Sequence, residues 1–218
     1  MSRFNLKKGQ RFDLTKSQAG LRLVRIGLGW TPNQEADGPD FDLDVSAFAI
    51  GENHKIVSDS HFVFYGQVAM GNKVADPYEK GMHRPISNDG AIMGAIDDPN
   101  GSRNTDGDDE DMIIDLSRLD KTIQQVIICI TICKYPDDRK KDRRTLDLNF
   151  GMLSNCYVRL MNDESSEELV RYELNESFNN EDALEFARLF WDGESWHFEA
   201  MGRSHFGGLP LLVGLYAD

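Results

Sequence analysis

Eight carboxylates and one arginine, Arg103, fall in the stretch Asp97-Asp-Pro-Asn-Gly-Ser-Arg-Asn-Thr-Asp-Gly-Asp-Asp-Glu-Asp-Met-Ile-Ile-Asp115. Acidic side chains this close repel one another, and a compact fold carries them only with compensation from cations or water. Oxygen-rich loops with Gly and Asn suit a hard divalent cation, because calcium takes six to eight oxygens from carboxylates, amides and carbonyls. A second acidic stretch, Asp40-Phe-Asp42-Leu-Asp44, offers the rest of a shell. A charge run is ordinarily a solvated loop. This one joins two segments that read as core strands, which weakens that reading.

The loop is not an EF-hand. With Gly107 at the sixth position, Asn104 and Asp106 fall correctly, but Ser102 takes the first position and Ile113 the twelfth, where a bidentate Glu is required. A non-helical oxygen site at the end of a β-sheet remains. The absence of His and Cys from both stretches disfavours zinc and copper. An enzymatic alternative is a metal-dependent phosphatase, since Asp42-Leu-Asp44-Val45 matches an Asp-x-Asp-x-Val pattern. That motif belongs at the end of a hydrophobic parallel strand, and Glu35-Ala-Asp-Gly-Pro-Asp40 is no such strand. His54, His61, His83, His197 and His205 are scattered, and no serine or cysteine sits in a Gly-x-Ser-x-Gly context.

The elements that must position these carboxylates read as strands. In Leu21–Trp30, Val24, Ile26, Leu28 and Trp30 share a face. From Asp40 to Ile50 the period is again two, with Asp40, Asp42 and Asp44 on one face and Phe41, Leu43 and Val45 on the other. Same-face neighbours lie about 7 Å apart, so one ion reaches both only at a strand end or with help from a loop. Gly51–Lys55 is a turn, and Phe62–Tyr65 a short strand closing a hairpin. Residues 66–96 read as a long, mostly irregular excursion. Met112–Leu116 re-enters a strand, and Ile123–Cys133 reads as a central strand buried on both faces. Residues 134–148 form a mixed-charge loop. Cys156–Met161 and Leu169–Leu174 pair, and Asn179–Asp182 caps a helical turn. Leu184–Trp191 and Ser195–Met201 form a hairpin over Asp192-Gly193-Glu194, with Leu184, Phe186 and Phe190 on one face. A helix over 181–190 stays open, and Gly207–Tyr216 is a short packed segment. The sum is an all-β sandwich with long loops and at most short helices. No linker divides residues 1–218.

Composition fits a globular chain of 218 residues, with 40% hydrophobic and 28% charged. A formal charge of −13 argues against nucleic acid, whose phosphates need clustered Lys and Arg. No transmembrane segment is expected, because no run approaches roughly 18 apolar residues. Nothing in the N-terminus reads as an export signal. Cys129 and Cys133 lie about 13 Å apart on one strand, too far for a disulfide. With Cys156, they read as buried free thiols in a reducing cytosol.

In order along the chain, Gly27-Leu-Gly-Trp30, Phe41-Asp-Leu-Asp-Val-Ser-Ala-Phe48, Phe62-Val-Phe-Tyr65 and Gly107-Asp-Asp-Glu110 with Ile113-Ile-Asp-Leu116 resemble the TerD (tellurium-resistance) family of bacterial stress proteins. Phe150-Gly151, Arg171-Tyr-Glu-Leu174 and Trp196-His-Phe-Glu-Ala-Met-Gly202 continue the resemblance. It implies one calcium-binding β-sandwich with Asp42, Asp44, Asp108, Asp109 and Glu110 as ligands. Asp98 is a shifted counterpart of a ligand in the family's Gly-Asp-Asn, and Asp106, just before Gly107, completes the set. It also implies resistance to tellurite and other stresses, in the cytoplasm or at the inner face of the membrane with other Ter proteins. The resemblance establishes no catalytic activity, and the reading adopted is a calcium-binding scaffold or sensor, not a catalyst. The excursion 66–96 and the loop 134–148 are longer than the family's pattern.

Overall fold

The computed structural model describes residues 4–31, 41–98, 107–134, 147–153 and 155–217. Two six-stranded sheets face each other. The first runs β1 (Phe4–Leu6), β12 (Glu167–Glu173), β11 (Tyr157–Asn162), β3 (Leu23–Gly29), β9 (Glu110–Asp115) and β8 (Ile92–Met93). The second runs β2 (Arg11–Asp13), β14 (Trp196–His205), β13 (Ala183–Trp191), β10 (Gln125–Ile132), β4 (Leu43–Ile50) and β5 (Phe62–Val63). The chain folds as an all-β sandwich, and the α-helices among the described residues, α1 (Leu14–Ser17) and α2 (Gly208–Tyr216), are short.

Alternation builds the core. Val24, Ile26 and Leu28 of β3 and Met112 and Ile114 of β9 meet Leu43 and Val45 of β4 and Ile128 and Ile130 of β10 in one buried cluster. β10 lies between β4 and β13, antiparallel to both. Its other face, Ile127 and Cys129, is buried with Phe48, Ile50 and Leu212 of α2. A strand buried on both faces must be apolar throughout, which is why Ile123–Cys133 lacks alternation.

Several expectations need correction. Residues 66–96 are mostly irregular but carry short strands: β6 (Lys73–Ala75) pairs with β7 (His83–Pro85), and β8 extends the first sheet. These strands are two or three residues long, too short to carry a period. Asn179–Asp182 is not helical. The Glu181 carboxylate instead accepts the N–H groups of Asn179 and Asn180 at 2.7 and 3.1 Å. The open choice over 181–190 resolves as strand β13. A register shift between Glu185 and Ala187 then turns Phe190 away from Leu184 and Phe186. Phe190 stacks on His197 instead, with ring centroids 5.1 Å apart. Gly207–Tyr216 is mostly helix, and its first amides, from Gly207 and Gly208, are accepted by Asp182 Oδ1 at 2.8 and 2.9 Å. All three cysteines are free; Cys129 and Cys156 are buried, but Cys133 is only half-buried. Burial pushes the Cys129 and Cys156 thiols up. The charged loop falls largely outside the described residues.

Candidate metal centre

The acidic residues converge where the N-terminal end of β4 meets the N-terminal end of β9. Asp42 precedes β4, and its carbonyl accepts the Cys133 N–H at 2.8 Å, which pins it to the end of β10. Asp44 pairs with Thr131 of β10 and is buried. The chain leaving β8 brings Asp97 alongside. One carboxylate oxygen from each of Asp42, Asp44 and Asp97 lies within 4.8 Å of the others. The loop thus supplies the help that two same-face strand carboxylates need.

Glu110 closes the group from the opposite sheet. It shares the inner face of β9 with Met112 and Ile114, and its Oε2 accepts the Val45 N–H at 2.8 Å. Its Oε1 accepts the Asp98 N–H at 3.2 Å. Burial raises the Glu110 carboxyl well above its ordinary range, and the charges of Asp44 and Asp97 push it further. Asp44 is raised by burial, then by Asp42 and Asp97. Asp109 is raised to about 6, by burial first, then by Asp98 and Asp108, against the lowering effect of a hydrogen bond from Trp30 N at 2.8 Å.

Two like charges within 4.8 Å of each other repel by at least about 3 kcal/mol at an effective dielectric of 20. Protons, a cation or hydrogen-bond donors must offset that repulsion. Three oxygens within 4.8 Å of one another share a point no more than about 2.8 Å from each, close to the calcium–oxygen range of about 2.3–2.6 Å. The three described donors, from Asp42, Asp44 and Asp97, are carboxylates, and that chemistry fits a hard divalent ion.

The structure does not bring every expected residue into this group. Asp108 lies on the outer face of the first sheet, where Arg159 Nε contacts its carboxylate oxygens at 2.8 and 3.0 Å and Tyr157 donates at 3.1 Å. The glycines of Gly27-Leu-Gly29 make this possible. A Cβ at Gly27 would stand 2.0 Å from Asp108 Oδ2, and one at Gly29 2.4 Å from the Tyr157 ring. Asp98 is buried, with its backbone on Glu110. Asp40 and Asp106 lie outside the described residues. Asp97, absent from the expected set, is the member that sequence reasoning missed. Its signal was its position at the head of the acidic stretch.

On the same strand, Asp111 points outward to Arg84. Nη2 of Arg84 meets Asp111 Oδ1 at 2.9 Å, and Nη1 donates to the Asp111 carbonyl at 2.6 Å, while Nε reaches Asp76. Arg84 thereby ties the β6–β7 excursion to β9. A cleft of about 570 Å³ beside it is lined by Arg25, Tyr78 and Asp109 among others. β4 is antiparallel to both of its neighbours, so Asp42-Leu-Asp44 lacks the parallel-strand setting of the phosphatase motif.

Comparison with known proteins agrees with the architecture. General stress protein 16U of Bacillus subtilis is 36% identical over 212 residues, covering 97% of this chain and 96% of that protein. The tellurium resistance protein TerD of Serratia marcescens is 32% identical over 212 residues, again covering 97% and 96%. A crystal structure of a TerD homologue from Streptomyces coelicolor superposes with a TM-score of 0.56 at 21% identity, covering 88% of this chain and 95% of that one, and so shares the fold. The TerD domain family matches residues 2–216, and this chain belongs to that family.

Proposed function

We propose that this chain is a calcium-binding stress-response module, acting as a scaffold or sensor rather than as a catalyst. The observation that carries the reading is the convergence of Asp42, Asp44 and Asp97 beside the buried Glu110, which belongs to the facing sheet. A cation bound there neutralises carboxylates drawn from both layers. Calcium then acts as a stapling element whose removal loosens the sandwich at one end. Asp42, Asp44 and Asp97 are the direct ligands, Glu110 the buried support, and Asp98 and Asp109 the flanking charge.

Membership of the TerD family and the names of the stress and tellurium-resistance relatives support a role in tolerance of tellurite and other stresses. Work with other Ter proteins at the inner face of the membrane, from the cytoplasm, completes the proposal. No helix among the described residues is long and apolar enough to cross a membrane, and the attachment proposed there is peripheral. Calorimetric titration of the chelator-treated protein with calcium and magnesium tests the metal. Saturable calcium binding with a rise in melting temperature is expected, and a flat titration with an unchanged melting curve rejects the reading.

A further inference from the structure

A serine, a histidine and an aspartate line up at the edge of the second sheet, on residues the carboxylate group does not use. Ser58 Oγ lies 2.8 Å from His61 Nδ1, and His61 Nε2 lies 3.2 Å from Asp89 Oδ2. His61 sits in a three-residue 3₁₀ turn, Asp59–His61, just before β5, while Asp89 comes from the loop between β7 and β8. The imidazole is buried and held at both nitrogens, and Ser58 is exposed.

The partners settle the direction of each bond. Asp89 also accepts from Ser87 Oγ at 2.5 Å, Ala91 N at 3.0 Å and Asp120 N at 3.1 Å. Burial works against its ionisation, but these donors and His61 together hold it below the usual carboxylate range. An ionised Asp89 only accepts, so Nε2 carries a proton, and in the neutral imidazole Nδ1 then presents its lone pair to the Ser58 hydroxyl. Ser58 occupies the N-cap of the 3₁₀ turn, yet its side chain makes no capping bond. A cap serine ordinarily accepts a backbone N–H. Here the hydroxyl is turned to the imidazole, with Ser60 Oγ 3.1 Å from it.

A nucleophile within hydrogen-bond reach of a base, itself oriented by a third group, is the arrangement that activates a hydroxyl. We propose that Ser58 is an activated serine that accepts acyl groups from small activated esters. In the step, Ser58 Oγ bonds to the ester carbonyl carbon and its proton passes to His61 Nδ1. The ester C–O bond breaks and the alcoholate leaves, taking up that proton from the imidazolium. The product is O-acyl-Ser58, with Asp89 ionised throughout. No ion at the carboxylate group takes part, so the reaction stands or falls separately from calcium binding.

The test treats the full chain with p-nitrophenyl acetate and maps acetylation by mass spectrometry. Exposed Ser165 in the same molecule reports background reactivity. Ser58 is expected to label about a hundredfold faster than Ser165, the scale of general-base assistance. His61→Gln should remove most of that advantage, and added imidazole should restore part of it. Asp89→Asn should slow labelling by misorienting the ring. Equal labelling of Ser58 and Ser165 in the parent protein overturns the proposal whatever the variants do. So does a folded His61→Gln protein that labels at the parental rate.

Discussion

Glu110 on β9 accepts the backbone N–H of Val45 on β4, at 2.8 Å, and so joins the two sheets through one carboxylate. β5 pairs with β4 only at Ala47 and Phe48. Nearer its start, β4 has no further strand partner on that side among the described residues, and Glu110 supplies the missing acceptor. A buried N–H needs one. The same carboxylate anchors Asp98 N, so Glu110 fixes both the strand and the loop that carry Asp44 and Asp97.

Glu110→Ala leaves two buried N–H groups without an acceptor, at about 1–3 kcal/mol each. A loss of about 2–4 kcal/mol is expected in urea denaturation, in chelator as well as in calcium. Glu110→Gln keeps an acceptor and removes a buried charge. With one of the two N–H groups left facing the amide NH2, it should cost about half as much in chelator while weakening calcium binding. Equal stability of the alanine variant and the parent would contradict the inter-sheet role.

Asp108→Asn tests a residue whose place differs from expectation. It weakens the pair with Arg159 and should cost about 1–3 kcal/mol with or without calcium. Its effect on calcium affinity should be much smaller than that of Asp44→Asn. Gly27→Ala forces a Cβ onto the same carboxylate, 2.0 Å from Oδ2, and should cost about 1–3 kcal/mol. Combined with Asp108→Ala the two costs should fall short of their sum, because the clash is gone. Full additivity in denaturation would refute the contact.

Much of the fold is legible because period-two apolar alternation survives wherever one face meets the core. Val24, Ile26 and Leu28 are an example, and all three are fully buried. It fails at Phe190, because a bulge is a backbone event that leaves no mark in composition. The N-terminal strands β1 and β2 are three residues each, below what a pattern can reveal. In the site, Asp42 and Asp44 are legible from their common face. Asp108 and Glu110 look alike in Gly-Asp-Asp-Glu, yet one meets Arg159 outside the sheet and the other Val45 between the sheets. Only the strand's direction and the position of Arg159, 49 residues after Glu110 in the sequence, separate them.

Calcium affinity should fall as pH drops through about 6. Asp109 is raised to about 6, and Asp44 and Glu110 are also raised, all chiefly by burial. Below those values the folded site holds protons that a metal must displace. Without calcium the sign for stability reverses. A carboxyl raised in the folded state binds protons more tightly there, so its contribution declines as pH rises from about 4 past about 6. Calorimetry in buffers of different ionisation enthalpy should detect proton release on binding at pH 6. A pH-independent affinity between 5 and 8 would contradict the raised carboxyls.

Thiol reactivity should divide the cysteines. Cys129 and Cys156 are buried and their thiols are raised by burial, whereas Cys133 is half-buried. A thiol reagent should modify Cys133 first in the native protein, and the other two at rates that follow unfolding. Fast native labelling of Cys129 would contradict the packing of α2 over β10.

The central claim is most directly tested by titrating calcium into the chelator-treated parent and Asp44→Asn proteins, with denaturation of both measured in chelator. Asp44 is buried, and the charges raising it, Asp42 and Asp97, are themselves carboxylates. The account predicts that Asp44→Asn weakens calcium binding at least tenfold, about 1.4 kcal/mol, while leaving the chelator-treated protein as stable as the parent or more so. Unchanged calcium affinity in Asp44→Asn, or an equal loss of stability with and without calcium, would contradict it.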